Sequence, residues 1–162
     1  DAERAARAAA RAGGVGGHAW GGAPRGTPGY MGRLHLAHSP LAVTAACLVV
    51  RRAAWDAVGG LDEGLVVAFN DVDFCLRLAR AGFENRWVPE AELYHHESAT
   101  RGLEDTPERQ ARFKSEVDFM LRRWGSALDR DPAYSPNLSL SGASFSLAFP
   151  PRARAPRLSG FR

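Results

Sequence analysis

The sequence predicts an α/β domain, and three observations carry that expectation. A near-continuous, β-branched apolar run, AVTAACLVV at 42–50, reads as a strand buried on both faces. The stretch NDVDFCLRLARAG at 70–82 reads as an amphipathic helix, with Val72, Cys75, Leu76 and Ala79 at i, i+3, i+4 and i+7. A second helix follows Thr106, and between the two helices NRWVP and AELYHH read as short strands separated by Pro89.

The elements follow in order. Residues 1–12 (DAERAARAAARA) favour helix and meet Gly13 and Gly14 in the stop position. The stretch GGVGGHAWGG is glycine-rich but lacks G-x-x-x-x-G-K-[ST] and has no strand before it, so it reads as a connection rather than a phosphate loop. After Arg51 and Arg52, AAWDAV makes a short helix closed by Gly59 and Gly60. Gly82 stands where a left-handed cap is expected after the 70–80 helix. Thr106, Pro107 and Glu108 open the last helix as cap, first residue and dipole partner. Its stripe is Phe113, Val117, Met120, Leu121 and Trp124, and Gly125 stops it. Three segments result: 1–28 as a helix and Gly/Pro-rich linker, 29–131 as the domain, and 132–162 as a loosely ordered, Arg-containing tail anchored by Phe145 and Phe149.

Composition narrows the function classes. At 162 residues, 45% hydrophobic and 24% charged, the chain is long enough for one domain with a core. No apolar run approaches the roughly 20 residues of a membrane helix, and no leader pattern marks secretion. Net charge is +3, with Lys114 the lone lysine. The arginines are spread out and no aromatic-interleaved basic stripe occurs, so nucleic acid is excluded as the expected partner. Guanidinium groups suit phosphate oxygens, although compositional bias accounts for most of them. Cys47 and Cys75 read as two buried free thiols.

The chemistry-bearing residues are few. Two positions apart on a helix, Asp71 and Asp73 point in nearly opposite directions and cannot grip one ligand together. Asp73 has a helical partner in Arg77. Asp71 sits at the positive end of the helix, where a carboxylate stays ionised as a general base requires, and where an ordinary helix-starting Asp also belongs. His95 and His96 face opposite sides if extended, and no second ligand stands at a metal spacing.

In this order AVTAACLVVRR, GGLDE, AFNDVDFCLRLARAGF and WVPEAELYHHESATRG resemble the acceptor-side half of the family 2 glycosyltransferases. These are inverting enzymes, many of which build bacterial surface polysaccharides. The resemblance runs from Gly29 to Asp131 and departs at Ala45, commonly Gly in the family, and at Asn70, often Glu. It implies a partial GT-A-like, Rossmann-like α/β fold: a mixed sheet flanked by helices, lacking most of the nucleotide-binding half. It implies Asp71 as general base, Asp73 as a supporting acid, and His95 near a metal and diphosphate. Gly59, Gly60, Asp62 and Glu63 would shape the acceptor side, with Arg101 neutralising the leaving diphosphate.

It further implies Mg²⁺ or Mn²⁺, a nucleotide-diphosphate sugar donor and a glycan or lipid-linked acceptor. The location would be cytoplasmic, at most peripheral at the inner face of the membrane. No D-x-D after a buried strand occurs before Leu41, and the chain begins at Asp1. The expectation is therefore a fragment of a longer enzyme, inactive alone. Its alternatives are a non-catalytic carbohydrate-binding or interaction remnant, or a piece that docks on a separate donor-binding segment.

Overall fold

The computed structural model describes residues 6–7, 15–17, 19–20, 23–93, 106–140 and 145–152. Strand β1 (Ala6–Arg7) pairs antiparallel with β2 (Ala42–Val43), Ala6 opposite Val43. Helices α1 (Arg52–Val58), α2 (Asn70–Arg80) and α3 (Pro107–Trp124) follow. Ala6 and Arg7 thus lie in a strand where a helix was expected; the rest of 1–12 falls outside the described residues.

α2 is the centre of the domain. Asp71 through Leu76 and Leu78 are all buried, which a single apolar stripe does not achieve. Val72, Cys75 and Leu76 pack with Ala42, Val43, Leu65, Met120 and Trp124 on one side. Phe74 and Leu78 pack with Ala54 of α1 on the other, so the helix carries two apolar faces and Ala79 is only half-buried. Its end is closed as the glycine foretold: Gly82 has φ 83° and the Phe83 amide donates to Leu78 O at 3.0 Å. In α3 the Thr106 hydroxyl accepts from Arg109 N, Pro107 opens the helix and Gly125 ends it. Of its expected stripe, Met120 and Trp124 are buried, but Leu121 is 42% exposed. The stripe's fifth place belongs to Glu116, which is buried.

The expected mixed sheet is represented, among the described residues, by the β1–β2 pair and two isolated bridges, His38 with Trp87 and Leu138 with Leu147. Only Ala42–Val43 of the apolar run is a strand. Thr44 Oγ1 accepts from Ala46 N, and Ala45–Cys47 coils into a 3₁₀ turn. A strand exists only where a neighbouring strand takes its backbone groups, and among the described residues the run has no such strand beyond Val43. Cys47 is consequently exposed while Cys75 is buried, both as free thiols. In NRWVP the bridge at Trp87 is all that forms, and Ala91–Leu93 is irregular. The segment expected as a loose tail contributes a second core. Phe145 is buried with Tyr134, Leu138 and Ala19 and stacks on Trp20 at 4.6 Å, whereas Phe149 is 99% exposed.

One buried carboxylate ties the helices together. Asp73, fully buried, accepts from Arg77 Nε at 2.7 Å and from Trp124 Nε1 at 2.9 Å, with Arg123 Nε at 3.4 Å. Arg77 reaches on to Val58 O at 2.6 Å, the end of α1. Arg123 Nη1 also donates to Asp62 Oδ2, so the turn after α1 hangs from α3. The guanidinium of Arg123, with help from the Gly64 amide, holds the Asp62 carboxyl below its ordinary value of 3.8.

Two outcomes follow from these contacts. Asp73→Asn keeps the shape but strands the cations, and is expected to lower the unfolding free energy by about 3 kcal/mol, read by urea denaturation at neutral pH. A carboxylate with a depressed folded pKa lends stability that is complete above its unfolded pKa and is lost as pH falls through the folded value. Asp131, whose pKa burial raises, acts with the opposite sign as pH climbs past the carboxylate range. Residue-resolved carboxyl NMR separates the two: the Asp62 midpoint should lie below 3.8 and move back up in Arg123→Gln.

Candidate functional site

The site is built where the 3₁₀ turn after β2 meets the head of α2. Phe69, the residue before the helix, is left-handed at φ 63°. A non-glycine residue adopts that conformation at a cost, and something must hold it. The holder is Glu116 of α3, whose Oε1 and Oε2 accept from Val67 N and Ala68 N, both at 2.9 Å. A charged acceptor of two backbone amides is a strong clamp. Sequence reasoning missed Glu116. The available signal was a carboxylate on the apolar face of α3, beside Val117 and one turn from Phe113 and Met120.

The clamp delivers Asp71 to the turn. Asp71 Oδ2 accepts from Ala45 N at 3.1 Å and Oδ1 from its neighbour Val72 N at 2.8 Å. The residue is 5% exposed. Two backbone amides thus fix the orientation of the carboxylate. Asp73 points the other way, into the Arg77–Trp124–Arg123 cluster, as two-residue spacing on a helix demands. The two carboxylates of D-V-D therefore have separate surroundings.

The G-G-L-D-E turn has a clear local cause. Gly59 caps α1 in the left-handed region at φ 73°. Gly60 is also at φ 73°, and a Cβ there would meet the Trp55 ring at 2.8 Å, so glycine is required. Asp62 Oδ1 then accepts from Gly64 N at 2.9 Å, while Glu63 is exposed. Asp62 and Asp73 are brought together through Arg123. Asp71 is joined to Ala45 instead. His95 and Arg101 lie outside the described residues.

Two cavities border this frame. A groove of about 900 Å³ runs between residues 43–51 and 83–93, and a small cavity of about 50 Å³ lies between Leu41, Val72 and Tyr134. Asp71, Asp73 and the G-G-L-D-E residues line neither. Among the described residues no group of three His, Cys, Asp or Glu side chains is placed to hold a metal ion. Asp73 is consumed by cations and Asp71 by amides, so these residues do not by themselves fit a divalent cation. Among the described residues no helix is long and apolar enough to cross a membrane.

A family model described as glycosyl transferase family group 2 matches residues 30–125. An uncharacterised protein of Sinorhizobium fredii is 55% identical over 139 residues, 85% of this chain and 15% of that protein. An O-antigen biosynthesis protein of Myxococcus xanthus is 33% identical over 129 residues, 76% of this chain and 9% of its own length. An N-acetylglucosaminyl-diphospho-decaprenol L-rhamnosyltransferase of Mycobacterium tuberculosis is 36% identical over 92 residues, 56% of this chain and 30% of that protein. The chain thus spans under a third of the length of each of these relatives. No solved structure matches. The matched span holds α1, the G-G-L-D-E turn, α2 and α3, so the frame around Asp71 is family material: the chain belongs to glycosyl transferase family group 2.

Proposed function

We infer that the chain is the acceptor-side portion of an inverting, nucleotide-sugar-dependent glycosyltransferase of bacterial polysaccharide synthesis, with Asp71 as its general base. The observation that carries the reading is Asp71 itself. A carboxylate at the positive end of α2 is oriented by the Ala45 and Val72 amides inside the family-matched span. In that role it accepts the proton of an acceptor hydroxyl as the oxygen attacks the anomeric carbon from the face opposite the leaving diphosphate.

Asp73 supports the base by fixing the helix that carries it. The G-G-L-D-E turn, hung from Arg123, borders the acceptor, and Arg101 meets the diphosphate. A divalent ion, Mg²⁺ or Mn²⁺, would supply charge neutralisation for the leaving group. Its ligands come from outside the described residues, with His95 the candidate in this chain. The relatives' names, one an O-antigen biosynthesis protein and one a rhamnosyltransferase onto a lipid diphosphate, support a polysaccharide or lipid-linked acceptor. Localisation follows as cytoplasmic, at the inner face of the membrane where such an acceptor lies. The donor site belongs to a further segment, and the isolated chain is inactive.

A second reading rests on the burial of the same residue. With both oxygens on backbone amides, Asp71 also serves as a clip between α2 and the 3₁₀ turn, and the chain would then be a non-catalytic carbohydrate-binding or interaction remnant. One substitution separates the two. In the longer polypeptide carrying this segment, Asp71→Asn should cut turnover by about a thousand-fold, the range for loss of a positioned base. Acceptor binding, read by calorimetry, should persist. Near-normal turnover excludes Asp71 as base and favours the remnant. Sugar transfer by the 162-residue chain alone, followed by release of nucleotide diphosphate, would refute its inactivity.

A further inference from the structure

Beside the second core stands a column of aromatic rings, outside the frame around Asp71. Phe145 lies between two near-parallel rings, Trp20 at 4.6 Å and 10°, and Tyr30 at 5.0 Å and 11°. Tyr134 closes the edge: its hydroxyl accepts from Phe145 N at 3.2 Å and donates to Ser139 O at 2.6 Å. Phe145 is therefore covered on both faces. Tyr30 is not. One of its faces rests on Phe145, 40% of the residue stays exposed, and among the described residues its hydroxyl takes no hydrogen bond.

Backbone strain is concentrated at this column. Trp20, Met31 and Phe145 have φ of 58°, 51° and 63°, three of the four non-glycine residues with positive φ among the described residues. Met31 is 82% exposed, so packing of its own side chain does not account for its conformation, which turns the chain directly after Tyr30. Strain of this kind persists where the surroundings hold a functional geometry. The turn is closed from Leu34 N to Pro28 O at 3.0 Å, and a Cβ on Gly29 would meet Leu34 at 2.9 Å and the Trp20 ring at 3.2 Å. Tyr30 is thus held flat in advance, and a ligand loses little by ordering it.

An aromatic face is apolar and carries negative charge density. A pyranose ring matches it, with a face of weakly positive C–H groups and a rim of hydroxyls that the Tyr30 hydroxyl can meet. A phosphate is repelled by such a face, and an aliphatic side chain leaves the hydroxyl without a partner. The column is also tied to the helix that carries Asp71. A Cβ on Gly16 would stand 3.6 Å from Val72, the next residue to Asp71. The chain from Gly16 to Trp20 spans at most about 14 Å, so the open ring lies a few sugar units from that carboxylate.

We propose that Tyr30 is a stacking subsite for a pyranose ring of the acceptor glycan, a few units away from the hydroxyl that reacts. The free face of the ring takes the C–H face of the sugar, and the column behind it keeps the ring from turning. The inference rests on the acceptor-side reading of the chain and adds to it a residue outside the G-G-L-D-E turn. Its experiment reads sugar binding and not transfer, so it can fail while Asp71 stands as base, and the reverse.

The test uses the 162-residue chain. The probes are the methyl glycosides of glucose, galactose, mannose, N-acetylglucosamine and rhamnose at millimolar concentration, read by saturation-transfer NMR. The expected result is transfer to at least one probe, confined to the C–H protons of one ring face. Tyr30→Leu keeps an apolar cover on Phe145 but removes the flat face, and should weaken binding about ten-fold with the circular dichroism unchanged. Tyr30→Trp should retain binding. Phe149→Ala, which removes an equally exposed aromatic ring outside the column, should leave it unaltered. Absence of transfer to every probe, transfer that survives Tyr30→Leu, or its loss in Tyr30→Trp or Phe149→Ala overturns the proposal.

Discussion

The fold hangs on the Asp73 carboxylate. A charge taken wholly out of water is tolerable only when opposite charge and hydrogen bonds replace the lost solvent, and Asp73 gathers Arg77, Trp124 and Arg123 for that purpose. Each partner has a second duty. Arg77 holds the end of α1 through Val58 O, Arg123 holds the turn after α1 through Asp62, and Trp124 closes the main core. Electrostatics at one atom pair therefore sets the relative placement of three helices and a turn.

That placement makes the arrangement around Asp71 intelligible. With Asp73 committed to the interior, the helix head must present Asp71 to the opposite side, toward the turn after β2. Glu116 completes the restraint by fixing the two amides that precede the left-handed Phe69. Two buried carboxylates, one on α2 and one on α3, thus orient a third. The pair at 71–73 divides into one carboxylate held by Arg77, Trp124 and Arg123 and one held by the Ala45 and Val72 amides, and their opposite directions follow from helical geometry.

Val49, exposed within the apolar run, has the same logic in reverse. Apolar, β-branched sequence favours a buried strand, yet among the described residues no strand lies beside the run past Val43. The result is a groove where a sheet interior would be expected, a state in which local preference is strong and the tertiary partner is missing. Cys47 is exposed for the same reason.

Much of this protein was legible from residue order. Helix boundaries were, because capping is local: Thr106, Pro107, Gly59, Gly82 and Gly125 act within a turn of where they stand. The Asp73–Arg77 pair was legible because four-residue spacing brings side chains together on any helix, and the family was legible from motif order. Sheet structure was not, since a strand is defined by a neighbour that sequence does not name. Nor were Glu116 on Val67 and Ala68, Arg123 on Asp62, or Trp124 on Asp73, contacts that join residues 48 to 61 positions apart. Local interactions are written in spacing. Long-range ones are decided when a charged group, denied water by packing, takes whichever donors the fold brings within reach.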